Sequence, residues 1–105
     1  MWAQLITTRL KPGKEEQLPG LLEQFRAAER SGSGLLRSTY MRDQNDLSRV
    51  YILIVFESEE KARARENDPR RHEGPQAAKL MATMAQIFDD AREFVDLIVV
   101  GEMSS

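Results

Sequence analysis

The sequence contains no cysteine, and this absence excludes several kinds of chemistry at once. Disulfides, thiolate nucleophiles and cysteine metal sites all need the thiol group, so none of them can form. There is only one histidine, which rules out a metal site built from several histidines. No apolar stretch is long enough to span a bilayer, and the first residues lack a basic segment followed by an apolar run. We therefore expect a cytoplasmic protein.

An excess of charge of either sign is also missing. The chain has 15 Lys and Arg residues against 17 Asp and Glu residues, which gives a net charge of −2 over 105 residues. Such a balance favours neither nucleic acid nor an anionic membrane as a partner. The hydrophobic content of 41% is typical of a globular chain. The length predicts a single domain that spans residues 1–105 and has one core.

The most informative feature is an uninterrupted apolar run at residues 50–56, Val-Tyr-Ile-Leu-Ile-Val-Phe. Successive side chains of a strand point to opposite faces, so the run divides into two sets. These sets are Val50, Ile52, Ile54 and Phe56 on one face and Tyr51, Leu53 and Val55 on the other. Both sets are apolar, so both faces of this strand should be buried. The chain's own helices can cover one face, and a second subunit is the simplest cover for the other.

Strand and helix signals alternate along the rest of the chain. Strand-forming residues predict β-strands, apolar residues at offsets of three and four predict helices, and Ser58 is placed to cap a short helix. The predicted strands are residues 2–10, 35–41, 50–56 and 94–100. The predicted helices are residues 14–30, 59–66 and 75 to about 89–92, and the first of them could begin as late as Pro19. A polar connection at residues 42–48 joins the second and third strands. The order β-α-β-β-α-β predicts a ferredoxin-like α+β fold. That fold is a four-stranded antiparallel sheet with helices on one face and the first and third strands in the centre.

Three segments of the chain resemble the dimeric α+β barrel superfamily and, within it, domains of the antibiotic biosynthesis monooxygenase (ABM) type. They are Leu10-Lys11-Pro12-Gly13-Lys14-Glu15-Glu16, Gly32-Ser33-Gly34-Leu35 and Val55-Phe56-Glu57-Ser58-Glu59-Glu60-Lys61-Ala62. Segments of this kind specify strand exits and helix starts, so they indicate a fold more strongly than a reaction. The resemblance covers nearly the whole chain. It implies a homodimer in which two subunits pack sheet against sheet with their helices outside.

The resemblance also implies two kinds of activity, cofactor-free oxygenation of polycyclic aromatic molecules and haem degradation. The haem-degrading branch uses an Asn in the first strand, a Trp in the short helix after the third strand and a His further along as iron ligand. Here only His72 has a corresponding place. The first strand carries Gln4 and Ile6, Arg65 lies near the position of the Trp, and the only tryptophan is Trp2. We therefore expect no bound cofactor, and a haem-binding or haem-degrading role is the least favoured.

His72 is the candidate catalytic residue, because the ordinary pKa of histidine lies near neutrality and suits a general base. The alternative is a solvated loop histidine. Near it in sequence, Arg63, Arg65, Arg70 and Arg71 form a positive cluster that could hold an anionic group. Neighbouring glutamates could equally neutralise this cluster as an ordinary helix surface. The candidate substrate-binding residues are Gln4, Tyr51, Arg65 and Arg71.

These patterns predict a cofactor-independent, monooxygenase-like homodimer. Its substrate would be a small hydrophobic or aromatic molecule held between the sheet and the helices. The alternative is a non-catalytic dimer that binds a small ligand or serves a stress-related role, with the arginine-rich loop recognising a partner. We expect no metal, no nucleic acid and no membrane partner.

Overall fold

The computed structural model describes residues 1–89 and 91–105, and in this part of the chain four antiparallel strands lie beside three α-helices. The strands are β1 (Trp2–Arg9), β2 (Leu35–Asp43), β3 (Asp46–Phe56) and β4 (Glu93–Ile98), and the helices are α1 (Leu18–Ala28), α2 (Glu59–Glu66) and α3 (Gly74–Ile87). The strand order is β2-β3-β1-β4, so the first and third strands are central. The predicted ferredoxin-like α+β fold is confirmed. None of the helices in the described residues is long and apolar enough to cross a membrane.

The bounds of the elements differ from the predicted ones mainly near turns. The predicted polar connection at residues 42–48 is largely strand, because β2 runs to Asp43 and β3 begins at Asp46. The side chain of Asp43 accepts a hydrogen bond from the backbone amide of Asn45 at 2.8 Å, which stabilises the short turn between them. The polar sequence therefore reflects an exposed hairpin end rather than a loop.

The first helix begins later than Lys14, as the position of Pro19 suggested. A 3₁₀ turn at Glu15–Gln17 precedes α1, and Pro19 lies in the first turn of α1, where its missing amide donor costs least. The predicted end of the last helix near residues 89–92 is too late, since α3 ends at Ile87. Asp90, which falls in that predicted end, lies outside the described residues.

Strand β3 shows which side of the sheet the helices cover. Val50 is 0% exposed and Ile52 is 7% exposed, and both pack in one cluster with Leu21 of α1 and Ile87 of α3. The Val50 set therefore faces the helices. By alternation, the Tyr51 set faces the opposite side of the sheet, which we call the open face.

A second, smaller cluster lies under α2. Trp2 and Phe56 pack there with Ala62, and the centroids of the two rings are 6.0 Å apart. As predicted, the Ser58 hydroxyl caps α2 by accepting a hydrogen bond from the Lys61 amide at 3.1 Å. The cap and the cluster hold α2 over one end of β1 and β3, where the candidate site lies.

The open face carries apolar side chains from neighbouring strands in register. Leu5 of β1 lies opposite both Leu53 of β3 and Val95 of β4. Val95 is 47% exposed and Met41 is 41% exposed in the single chain. An apolar sheet face of this kind is unfavourable in water, and its cover by a second subunit stays a prediction.

Candidate functional site

The first part of the candidate site is a polar network on the helix-facing side of β1 and β4. Gln4 and Asp96 are directly opposite each other in the sheet. The side-chain amide of Gln4 donates to the Asp96 carboxylate at 3.0 Å, and Arg63 of α2 donates to the same carboxylate at 2.9 Å. These two hydrogen bonds, the one from Gln4 first, lower the pKa of Asp96 below its ordinary value. The carboxylate is therefore ionised near neutral pH and retains lone pairs for a further donor.

Apolar surface adjoins this network on the same side of β4. Phe94 is 57% exposed and Ile98 is 82% exposed, and both flank Asp96 at alternate positions along the strand. We call these three helix-facing residues, Phe94, Asp96 and Ile98, the β4 strip. The β4 strip is therefore an exposed apolar surface with a single anchored carboxylate at its centre.

The guanidinium of Arg63 also lies over the ring of Trp2, 5.0 Å from its centroid. Such a cation–π contact orients the guanidinium, which then bonds Asp96 on one side. The hydrogen bond to Asp96 raises the pKa of Arg63 further above its already high ordinary value, so the group stays cationic. The Trp2 side chain is 8% exposed and supports the network from below.

The second part of the site lies on the other side of Phe56, where Arg65 of α2 meets Glu29 at the end of α1. The Arg65 Nε donates to Glu29 Oε2 at 3.0 Å and the Arg65 Nη2 donates to Oε1 at 2.5 Å, which makes the pair bidentate. The Ser33 hydroxyl donates to the same carboxylate at 2.8 Å. Burial acts to raise the pKa of Glu29, but the hydrogen bonds from Arg65 and Ser33 outweigh it, and the pKa is lowered. The pair fastens α2 to the end of α1.

Tyr40 and Arg71 lie near this ion pair. The ring of Tyr40 stacks on Phe25 of α1 with centroids 5.8 Å apart, and burial raises the pKa of its hydroxyl, with a smaller opposing effect from Arg65. Burial of its guanidinium and then repulsion from Arg65 lower the pKa of Arg71, although the residue as a whole is exposed. The protonated form of arginine still dominates at neutral pH, so both guanidiniums are positive.

His72 lies at the end of a 3₁₀ turn, Pro69–Arg71, between α2 and α3. Its residue is exposed, and its Nε2 lies 3.0 Å from the backbone carbonyl oxygen of Glu66. A carbonyl only accepts, so this contact requires the proton on Nε2 and commits that nitrogen to the end of α2. The geometry therefore corresponds more closely to the solvated loop histidine than to a base aimed at the β4 strip.

Tyr51 lies apart from the other candidates. Its register partners are Thr7 and Met41, which places it on the open face, opposite the side that Gln4 and Arg65 share. The expectation that Tyr51 lines a pocket between sheet and helices is therefore corrected. The cause is the alternation of β3, because Val50 and Ile52 occupy the helix side.

The β4 strip is an exposed surface rather than a pocket between sheet and helices, since Phe94 and Ile98 are both largely exposed. Two hollows formed by the described residues lie elsewhere. One, of about 100 Å³, is lined by Thr7, Thr8, Arg9, Arg49, Ala91 and Glu93, and the other by Arg37, Glu102, Met103 and Ser104. Neither is lined by a predicted site residue. Within residues 1–89 and 91–105 no group of three or more carboxylate or histidine side chains is arranged to hold a metal ion.

Of the five predicted site residues, Gln4 lies in the network of Asp96 and Arg63, whereas Arg65 and Arg71 lie near each other at Glu29. The sequence reasoning missed Asp96 and Glu29, which bind two of these residues. Asp96 had a signal, because it is the single charged residue in the predicted strand 94–100 and alternation places it on the same face as Phe94 and Ile98. Glu29 had no corresponding signal in the sequence, since its partner Arg65 is 36 residues away.

A comparison with protein-family models gives one match, to the antibiotic biosynthesis monooxygenase family, over residues 1–74. The chain belongs to the antibiotic biosynthesis monooxygenase family. The matched region includes β1, β2, β3, α1 and α2 and therefore Gln4, Glu29, Arg63 and Arg65, whereas Asp96 lies beyond it. Members of the family are generally dimeric and bind small ligands. No curated protein matches the sequence.

Solved structures with the same fold cover the ABM chain almost completely. A protein from Chloroflexus aurantiacus J-10-fl that carries the family name is 22% identical, with a TM-score of 0.66 over 99% of this chain and 98% of the other. A Caulobacter crescentus CB15 protein that also carries the family name is 14% identical, with a TM-score of 0.72 over 95% and 90% of the two chains. A mutant of MhuD with two manganese protoporphyrin IX molecules per active site is 15% identical, with a TM-score of 0.73 over 100% of both chains. At these identities the likeness demonstrates the fold alone.

Proposed function

We propose that this ABM-family chain is a cofactor-independent, monooxygenase-like homodimer that acts on a small aromatic molecule bound along the β4 strip. The observation that carries the proposal is the network of Gln4, Asp96 and Arg63 beside the exposed ring of Phe94. The ring offers a surface for stacking, and the network offers polar groups at one point. This combination favours a flat apolar molecule with one hydroxyl group.

The charges of the network indicate how such a molecule would be oriented. A phenolic hydroxyl can donate to the ionised Asp96 carboxylate, and the Arg63 guanidinium stabilises negative charge on the phenol oxygen. The phenolate is more electron-rich than the phenol and reacts more readily with dioxygen. In the proposed reaction one oxygen atom enters the ring to give a quinone and the other leaves as water. The substrate itself supplies the electrons.

The alternative function is non-catalytic binding of the same class of molecule. It is favoured by the pairing within the site, where Arg63 bonds Asp96, Arg65 bonds Glu29, and the Nε2 of His72 is committed to the Glu66 carbonyl. A general base works best with a pKa near the operating pH, and the lowered pKa of Asp96 makes it a weak base. Binding without turnover would decide for this alternative.

Replacing Arg63 with Gln should weaken binding of a polycyclic phenol such as 1-naphthol by roughly tenfold, about 1.4 kcal/mol, because the charge opposite the phenol oxygen is lost. Asp96→Asn should weaken binding to a similar degree, since it removes the acceptor with little change in size. Calorimetric titration measures the affinity, and an oxygen electrode measures turnover by the native chain.

Arg26→Gln is the matched control for this prediction, because Arg26 pairs only with Glu23 on the outer surface of α1 in the hydrogen bonds of the described residues. It should bind the phenol as the native chain does. Equal affinity of the Arg63→Gln and native chains would contradict the proposed site. If the native chain consumes oxygen with the phenol and neither Arg63→Gln nor Asp96→Asn changes the rate, the reaction takes place at another site.

The MhuD structure contains a metalloporphyrin, which makes haem a ligand to consider for this fold. The residues of this chain fit haem poorly. The only histidine has its Nε2 engaged with the Glu66 carbonyl, and Arg65, near the position of the branch's Trp, is held by Glu29. We therefore expect hemin added to the native chain and to His72→Ala to give the same absorbance spectrum. A Soret shift that His72→Ala abolishes would establish axial ligation and contradict this expectation.

A further inference from the structure

Helix α2 is attached to the rest of the chain mainly by polar contacts. Among the described residues of this helix, Ala62 alone is buried. Helices α1 and α3 instead bury Leu21 and Ile87 in the main apolar cluster. A helix of eight residues is not stable in water by itself, so α2 depends on its contacts with the fold.

Arg63 and Arg65 make two of these contacts from opposite sides of α2, because residues two positions apart on a helix lie about 200° apart. Arg63 bonds Asp96 of β4, and the two side chains are 41% and 47% exposed. Arg65 bonds Glu29 at the end of α1, and these side chains are only 16% and 24% exposed. A bidentate, half-buried ion pair stabilises a structure more than an exposed one does. We call the pair of Arg65 and Glu29 the latch.

The two arginines lie over aromatic rings that α2 covers. The guanidinium carbon of Arg65 is 5.4 Å from the ring centroid of Phe56, and that of Arg63 is 5.0 Å from the ring centroid of Trp2. Both rings are buried and pack with Ala62. Movement of α2 away from the sheet therefore exposes Trp2, Phe56 and Ala62 to water.

We propose that α2 is a lid that opens as a unit and that the latch controls how often it opens. Segments with few buried apolar side chains open locally at a lower free energy than the core of a domain. The 3₁₀ turn Pro69–Arg71 separates α2 from α3, so the lid moves without α3. Opening carries Arg63 away from Asp96, so the network with Gln4 is complete only while the lid is closed.

The closed lid also bears on the phenol of the proposed function, and this step rests on that proposal. A phenol that contacts Asp96 and Arg63 together binds the closed lid better than the open one, so it favours closure. With 1-naphthol at about ten times its dissociation constant, the open population of α2 should fall about tenfold.

Amide hydrogen exchange followed by mass spectrometry tests the latch through Glu29→Gln. This substitution preserves the size of the side chain and removes the charge opposite Arg65. Exchange at residues 59–66 should become roughly tenfold faster, because a hydrogen-bonded charge is lost. Exchange at residues 74–87 of α3 should equal that of the native chain, which shows that the fold outside the lid is intact.

A second measurement uses the absence of cysteine from the sequence. Ala62→Cys places the only thiol of the chain beneath the lid, and the rate at which a disulfide reagent labels it reports exposure of the covered cluster. Adding Glu29→Gln should raise this rate by the same factor of roughly ten. Circular dichroism checks that each variant is folded.

Glu23→Gln is the matched control, because Glu23 pairs with Arg26 on the outer surface of α1 among the described residues. Its exchange at residues 59–66 should equal that of the native chain. Unchanged exchange there in Glu29→Gln would overturn the inference, as would an equal acceleration at residues 59–66 and 74–87, which indicates global unfolding. If Glu29→Gln accelerates exchange but 1-naphthol does not slow it in the native chain, the lid stands and the proposed contact of the phenol fails, so the two failures are distinguishable.

Discussion

Ile52→Asp should lower the free energy of unfolding of the chain by about 4 kcal/mol or more, a large part of its stability. Ile52 is 7% exposed and packs in the cluster of Val50, Leu21 and Ile87 that joins the sheet to α1 and α3. The substitution removes a large apolar side chain and places a carboxylate in a cluster made mainly of apolar side chains. Together these effects cost about 4 kcal/mol or more. The free energy of unfolding of a small domain is itself only about 5–15 kcal/mol.

Circular dichroism and urea unfolding measure this effect, with Ile52→Val as the conservative control. Removal of one methylene group there should cost only about 1 kcal/mol, with the fold retained. A cooperative urea transition for Ile52→Asp at the native midpoint would show that the helix-facing side of β3 is not the core of the chain.

Leu53→Asp, one residue further along, should instead give a folded monomer. Leu53 lies on the open face opposite Leu5 and is only half-buried in the single chain, so a carboxylate there remains in contact with water. In a sheet-to-sheet dimer two such carboxylates would be buried in one interface. The dimer dissociation constant should then rise on the order of a thousandfold, which corresponds to about 4 kcal/mol.

Sedimentation velocity should give the mass of a monomer for Leu53→Asp, and circular dichroism should give the spectrum of the native chain. The prediction requires both results. Leu53→Ala is the matched control that shortens the side chain without adding charge, and it should weaken the dimer far less. A Leu53→Asp chain that remains dimeric at micromolar concentration would mean that the second copy packs on another surface.

The contrast between these neighbouring positions shows what the sequence could predict. The apolar run of β3 and the order of elements were sufficient for the sheet order and for the division into two faces. They could not say which face the helices cover, because Val50 and Leu53 are equally apolar. Only the packing of Leu21 and Ile87 against Val50 decides it.

The candidate site was predictable only in part, because side-chain networks join residues that are far apart in sequence. Gln4 and Arg65 were identified, but their carboxylate partners Asp96 and Glu29 lie 92 and 36 residues away. His72 attracted interest as the single histidine, and its hydrogen bond to the Glu66 carbonyl is a local contact that its sequence neighbours do not encode. Composition identifies residue types suited to chemistry, whereas the fold determines which of them meet.

The site and the interface are connected through β4 in this account. Asp96 and Phe94 lie on the helix side, and Val95 and Leu97 lie on the open face. One strand therefore presents the proposed ligand surface on one side and the proposed subunit contact on the other. For this reason the oligomeric state bears on the function as well as on stability.

Sedimentation equilibrium of the native chain at low micromolar concentration tests the central claim most directly. A mass close to twice the 12.0 kDa of the chain is predicted, because the open face exposes apolar surface that a second copy would cover. A folded, stable monomer at that concentration would contradict the claim that β3 needs a cover on both faces.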